Sequence, residues 1–317
     1  MKSKRKRSPS ARERRDVSGL NKKSFLLPIM FNRNHLIIFL VFLAVFDFVV
    51  WKAIILNRPN SETEIYFLEA GQGDSELIVL PNGVKVMIDA GPGNKTASEL
   101  SSVLRPTDNY IDLAVVSHSE TDHFNGFIDI FKRYQIGAFI YNGRAGAAQS
   151  WKELAKIVEE HKIPVIVLGQ GDKIKYKEDF FEILSPNADF LRSKETNNSS
   201  LVIKFTDNIG TEKAIKVLFT GDIGEKVEKY LTNNFDITAD ILKVPHHGSK
   251  YSSSEEFLAA ARPKISSIEV GKNSYGHPTD EVLNKLASIG SQIFRTDQNG
   301  TIKIVISENE INIFKKR

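Results

Sequence analysis

The chain has 317 residues, 41% hydrophobic and 26% charged, a balance that allows a packed core and a length that suits one large domain or two small ones. It contains no cysteine, which excludes disulfides, thiolate metal ligands and a cysteine nucleophile. The net charge of +4 is unevenly placed: residues 1–35 hold eleven Lys/Arg and two acids, which leaves 32 basic and 37 acidic side chains, a net −5, in the rest. Outside the tail, charge gives a nucleic acid no general attraction.

The tail (KSKRKR, RERR, KK) is expected to stay in the cytoplasm by the positive-inside rule. Its charge also suits anionic lipid or nucleic acid, although a disordered topology signal is the simpler reading. Residues 36–56, LIIFLVFLAVFDFVVWKAIIL, have the length of a transmembrane helix. Lys52 lies near one end and can snorkel, whereas Asp47 lies near the middle, where ionisation is costly. A signal peptide has a shorter apolar core and a small-residue cleavage site, and neither is evident. A retained single-pass anchor in the cell membrane is therefore expected, with the following domain outside the cytoplasm. Residues 57–63 (NRPNSET) are a polar linker, and residues 64–317 read as one α/β domain.

In that domain EIYFLEA, ELIVL and VKVMIDAG are strand-like and are cut by turn residues such as Pro81-Asn82-Gly83. A helix over residues 96–105, a strand DLAVVS and a helix over residues 124–134 follow. The spacing of WKELAKIVEEH predicts a helix, and PVIVL a strand. SLVIKF and KAIKVLFTG are strands, GEKVEKYL a helix, ADILKVP a strand and EEFLAAARP a helix. ISSIEVG, DEVLNKLAS, SQIFRT, TIKIVI and EINIF read strand, helix, strand, strand, strand. Tyrosines and phenylalanines are scattered along the strands and read as core rather than as a stacking platform.

Polar clusters stand where apolar strands end. DLAVVS delivers His118-Ser119-Glu120-Thr121-Asp122-His123, four candidate metal ligands in six residues. VLFTGD ends at Asp222, ILKVPHHGS at His246 and His247, and IEVGKNSYGHP at His277. Such residues can converge on one rim of a sheet. Gly71-Gln72-Gly73 precedes a strand rather than a helix, which argues against a dinucleotide loop.

On these motifs the chain resembles the metallo-β-lactamase superfamily, whose first metal motif is His-x-His-x-Asp-His. It is most similar to the soluble hydrolase domain of the competence protein ComEC, through GQGDS, PNG, IDAG, NNSSLVI, LFTGD, LKVPHHGS and NSYGHP, over residues 65–314. The resemblance implies an αββα sandwich, here carried on one anchor without a multi-helix channel region. It also implies a metal site of His118, Glu120, Asp122, His123, Asp222 and His246, with His247 in a supporting place. Two departures stand out. Glu120 occupies the place of the motif's second His, and Asn197 or Asn198 that of a later His. More carboxylate and less imidazole favour Mn²⁺ or Mg²⁺, while Zn²⁺ stays compatible with the set. One or two divalent ions are expected.

The expected activity is metal-dependent hydrolysis, with Asp122 orienting the nucleophile and His277 protonating a leaving group or holding a phosphate. The resemblance points to a phosphodiesterase or nuclease related to DNA uptake, with DNA or RNA as substrate. A metallohydrolase of a small ester, lactone or phosphate, and a degenerate metal-binding protein, are the alternatives.

Overall fold

A computed structural model of the chain describes residues 32–56, 61–208, 214–307 and 310–317. Most of the basic tail and residues 57–60 of the linker lie outside the described residues. Two units are distinct, residues 1–58 and 59–317. The described part of the first is one helix, Arg33–Leu56, which begins three residues earlier than the apolar run. Its 24 residues span about 36 Å at 1.5 Å each, more than the ~30 Å of a bilayer core. From Leu36 to Trp51 its large apolar side chains are exposed.

In the second unit, runs rich in Ile, Val and Phe, separated by turns, pair into two sheets. The first sheet opens with β1 (Thr63–Phe67), β2 (Glu76–Val79), β3 (Lys85–Ile88), β4 (Tyr110–Val115), β5 (Gln135–Tyr141) and β6 (Val165–Val167). The second holds β7 (Lys173–Tyr176), β8 (Asp179–Ser185), β9 (Val202–Asp207), β10 (Ile215–Phe219), β11 (Ile241–Lys243), β12 (Ile265–Ile268) and β13 (Gln292–Arg295). The chain then returns to the first sheet with β14 (Ile302–Ile306) and β15 (Ile311–Lys315). The spatial orders are β15-β14-β1-β2-β3-β4-β5-β6 and β13-β12-β11-β10-β9-β8-β7.

Alternation along the strands decides the layers. Ile65 and Phe67 of β1 join Phe181, Phe205, Val217 and Ile241 of the other sheet in one core. Tyr66, Leu77 and Met87 point to the opposite face and pack beneath helix residues Leu100, Trp151 and Leu154. On the far side of the second sheet, Leu218 and Leu242 meet Val227, Phe257 and Leu286. The order is helix, sheet, sheet, helix, as the sequence implied.

Three strands were absent from the sequence reading: β5 and the β7–β8 hairpin. The expected helix over residues 124–134 also differs. It is two short helices, Thr121–Phe124 and Phe127–Ile130. Gly126 lies between them, where a Cβ would stand 1.9 Å from the Ala90 carbonyl, and its N–H donates to Gly91 O. The segment is clamped onto the IDAG turn rather than free to wind as one helix.

Both sheets contain parallel runs: β3-β4-β5-β6 in the first and β10-β11-β12-β13 in the second. Residues that follow the carboxyl ends of β3, β4, β10 and β11 are therefore delivered to a common edge of the sandwich, the usual place for ligands in parallel sheets.

Candidate metal centre

Four strand ends build the site. After β3 comes Asp89, after β4 the run from Ser117 to His123, after β10 Asp222, and after β11 His246 and His247. Backbone geometry there is unusual. Asp89, His246 and His247 have φ of 52°, 50° and 53°. A non-glycine residue in the left-handed region costs of order 1–3 kcal/mol and persists only where its surroundings fix it. Gly248 helps to fix the His246–His247 turn: at φ 78° it packs so closely on Pro278 that a Cβ would lie 2.5 Å from the proline ring.

His123 and His247 are fully buried and approach one carboxylate. His123 Nε2 lies 3.3 Å from Asp222 Oδ2, and His247 Nε2 lies 3.4 Å from the same oxygen. Asp122 Oδ2 stands 3.6 Å from His247 Nε2. Four ligands around an ion at about 2.1 Å would be about 3.4 Å apart in a tetrahedron. The observed spacings match that figure. Asp122, His123, Asp222 and His247 each offer one atom within 4.8 Å of all the others. The Nε2 atoms of His123 and His247 and Asp222 Oδ1 are buried without a hydrogen-bond partner. The residues fit a divalent cation.

Hydrogen bonds behind the ring nitrogens set the tautomers. His123 Nδ1 pairs with Asp89 Oδ2 at 2.8 Å, and Asp89 also accepts from the Ser117 N–H at 2.7 Å. His247 Nδ1 donates to the Glu269 carbonyl at 2.8 Å and faces Asp74 Oδ1 at 3.2 Å. Both arrangements leave Nε2 as the ligand atom. Lys243, on β11 and fully buried, forms a close ion pair with Asp74 and donates to Gly221 O at 3.0 Å. Its Nζ is 3.6 Å from Asp222 Oδ1.

Electrostatics follow from this crowding. Burial disfavours charge on His247, but Asp222 and Asp74 outweigh it and raise its pKa to about 10. The His123 imidazole is likewise raised well above its usual range against its burial, by Asp222, Asp89 and Asp74. Burial pushes the Asp222 carboxyl up, yet His247 and His123 hold it well below the usual carboxylate range. His118 goes the other way, to about 3, through burial and the charge on His123.

Of the residues expected at the site, Asp122, His123 and Asp222 come together. His118 is adjacent, its ring centroid 4.1 Å from that of His123 and its Nε2 buried without a partner. Glu120 stands outside the quartet, on the wall of a neighbouring cavity of about 540 Å³ shared with Asn197, Asn198, Asp222 and His246. Sequence favoured His246 as the ligand without separating it from His247, and the geometry points to His247. His246 Nε2 is 3.9 Å from Asp222 Oδ2 and its side chain is 29% exposed, while His247 lies inside the quartet. His277 is at the rim, its ring centroid 5.7 Å from that of His246. Asn198 does not reach inward: its Nδ2 donates to Ser193 Oγ and Glu195 Oε2.

Asp74, Asp89, Lys243 and Glu269 were not assigned to the site from sequence. Asp74 and Asp89 sit in GQGDS and IDAG, motifs noticed for their resemblance alone, and Lys243 stands three residues before the His pair.

No family model matches the chain. It is 31% identical over 263 residues to ComE operon protein 3 of Bacillus subtilis (strain 168), an alignment covering 77% of this chain and 33% of that protein. It is 27% identical over 268 residues to Competence protein ComA of Neisseria gonorrhoeae, covering 82% and 34% respectively. The chain thus spans about one third of the length of these relatives. Among solved structures, the metallo-beta-lactamase fold protein YhfI from Bacillus subtilis superposes with a TM-score of 0.52 at 10% identity, covering 76% of this chain and 99% of that one. That likeness is one of fold.

Proposed function

We propose that this chain, similar in sequence to ComEC-type competence proteins and folded like a metallo-β-lactamase, is a membrane-anchored, metal-dependent phosphodiesterase related to DNA uptake. The observation that carries the reading is the quartet of Asp122, His123, Asp222 and His247, with ligand atoms within 4.8 Å of one another and buried nitrogens left without partners.

These four residues would hold a divalent ion, and His118 with Glu120 would contribute to a second position. A bound ion would polarise the ester oxygen and acidify water. Asp122, kept ionised by His123 and His247 against its burial, accepts a hydrogen bond from the attacking water and orients it. Asp89 and the Glu269 carbonyl keep the two imidazoles in register. Burial and the charges of His246 and His247 lower the pKa of His277. A neutral imidazole at neutral pH fits the holding of a phosphate better than the donation of a proton to the leaving group.

The helix Arg33–Leu56 is proposed as the single anchor, with the hydrolase unit outside the cytoplasm because ten basic residues precede it. Metal content by mass spectrometry, with turnover of bis-p-nitrophenyl phosphate set against p-nitrophenyl acetate, tests the chemistry. Diester turnover that depends on bound metal supports the reading. Turnover of the acetate alone makes the chain an esterase, and metal without turnover makes it a binding protein. Reporter fusions at Arg317 test the anchor: activity of a cytoplasmic reporter would overturn the orientation.

A further inference from the structure

Two tyrosines stand out among the exposed aromatic residues of the globular unit. Tyr251 is 68% exposed and Tyr275 is 74% exposed, the highest values among the large apolar and aromatic side chains described in the globular unit. Tyr251 borders the metal centre and Tyr275 stands at its rim. Tyr251 lines the cavity of about 540 Å³ that also contains Asp222, His246 and Glu120. The Tyr275 ring is stacked on His277 at 5.8 Å between centroids, with His277 in turn 5.7 Å from His246.

Each ring is backed on one face only. Lys250 Nζ sits 5.1 Å from the Tyr251 centroid, and the His277 imidazole lies at 25° to the Tyr275 plane. Exposures of 68% and 74% leave the remaining faces to solvent. The backbones are held. Tyr251 O accepts from the Glu225 N–H at 3.2 Å. Asn273 Oδ1 accepts from the N–H groups of Tyr275 and His277, and its Nδ2 donates to Gly271 O and His277 O. An open aromatic face on a fixed backbone is what a planar ligand ring can stack upon at little cost in ordering. The same cavity is lined by Lys194 and Lys226 together with the acids Glu120, Glu195, Asp222 and Glu225.

We propose that Tyr251 and Tyr275 are specificity-determining residues that stack nucleobases beside the metal centre and at its rim, so that the preferred substrate is an unpaired nucleotide strand rather than a simple phosphodiester. The proposal rests on the diesterase reading above. Stacking is indifferent to base identity, because every base has a π-face. The site therefore selects nucleotides without selecting sequence. A paired duplex keeps its bases stacked inside and cannot offer them.

The test uses the full chain and the ratio of kcat/KM for thymidine 5′-(p-nitrophenyl phosphate) to that for methyl p-nitrophenyl phosphate. Both esters release the same leaving group, and only the first carries a base. In Tyr251→Leu and in Tyr275→Leu the ratio is expected to fall about tenfold. Tyr→Phe at either position should keep it, and Tyr110→Leu, on β4 away from the site, should not move it. An unchanged ratio in both Leu variants overturns the proposal. Absence of turnover with either ester in the native chain overturns the diesterase reading instead. The stacking proposal is then decided by fluorescence anisotropy, comparing a labelled oligothymidylate with an abasic strand of equal length. Loss of the preference for the base-bearing strand in the Leu variants sustains it, and retention of that preference overturns it.

Discussion

His247 Nδ1 donates to the carbonyl oxygen of Glu269 at 2.8 Å, and this bond turns Nε2 of the same ring into the quartet around Asp222. Its neighbour His246, one residue earlier and chemically identical, is 3.9 Å from Asp222 and partly open to solvent. His247→Ala should therefore strip the metal and lower diester turnover by more than about 100-fold, beyond the 10–100-fold typical of residues that only support a ligand. His246→Ala should keep its metal and lose less. Metal content and turnover of the two purified variants, with circular dichroism to verify folding, decide between them. Loss of metal from His246→Ala alone would restore the assignment expected from sequence.

Asp89 is expected to act through His123. Its Oδ2 holds Nδ1 of that ring at 2.8 Å, and no atom of Asp89 is in the quartet. Asp89→Asn keeps a side chain of similar shape but removes the charge that holds the imidazole in place. Metal affinity should drop by about 10–100-fold. Titration of chelator-treated protein with Zn²⁺ measures it. Turnover at saturating metal should recover most of the loss, which a direct ligand would not allow.

Much of this site was legible in the sequence, because metal-ligand residue types at the ends of apolar strands have few other reasons to cluster there. Asp122, His123 and Asp222, which the structure brings together, were reached that way, as were His118 beside them and Glu120 on the neighbouring cavity wall. The choice between His246 and His247 was not legible. It depends on two successive left-handed backbone conformations and on a carbonyl delivered from β12, 22 residues away. Lys243 and Asp74 were hidden for a similar reason, since each reads as an ordinary strand-end charge until the fold buries both. Strand β5 carries an apolar run, AFIY, as long as that of its neighbours, and β7–β8 show alternation in KIKY and FEIL around a Lys-Glu-Asp turn. The period of two was there to be read. The helix expected over residues 124–134 failed because local spacing says nothing of the Ala90 carbonyl that abuts Gly126.

Lys243 is the buried counter-charge of the site. Replacing it with Met would leave Asp74 and Asp222 only the imidazolium rings of His123 and His247 as counter-charges, and breaking a buried pair by removing one partner costs about 3–5 kcal/mol. Chelator-treated Lys243→Met should lose stability of that order in urea. Bound metal should recover part of it by supplying positive charge near Asp222. A variant as stable as the native chain without metal would show that the carboxylates are protonated rather than paired.

The raised imidazoles predict a pH dependence with a definite sign. His247 has a folded-state pKa of about 10 against an ordinary value of 6.5. The protonated ring therefore stabilises the metal-free fold fully below about pH 6.5, and the contribution is lost as pH rises towards 10. His123 shifts in the same direction. Chelator-treated protein should show a falling Tm over that window. Metal requires the neutral rings, so binding should release protons at pH 7 and tighten as pH rises. Calorimetry in buffers of different ionisation enthalpy counts the protons released. A metal affinity independent of pH between 6 and 8 would contradict the protonation of both rings.

The last prediction concerns Glu120, which stands where the family motif has a second His. The structure places it on the cavity wall outside the quartet, while the Nε2 of nearby His118 is buried without a partner. Burial raises the pKa of the Glu120 carboxyl, and Asp122 and Asp222 raise it further. A second cation would relieve that repulsion, and a carboxylate beside a single imidazole suits a hard ion such as Mn²⁺. Asn198 cannot supply the missing nitrogen, because its amide is bonded to Ser193 and Glu195. The second position should therefore be weak and oxygen-rich in the native chain. Glu120→His would give His118 an imidazole partner and should raise the zinc bound per chain from about one towards two. It should also move the preference of the turnover assay from Mn²⁺ towards Zn²⁺. The gain should stay partial, since the position normally held by the later His remains without a nitrogen. Equal zinc stoichiometry in the native chain and Glu120→His would show that Glu120 belongs to the substrate cavity and not to a second metal position. Glu120→Ala separates the two roles further: as a ligand its loss should weaken Mn²⁺ activation, whereas as a wall residue it should change KM at an unaltered Mn²⁺ requirement.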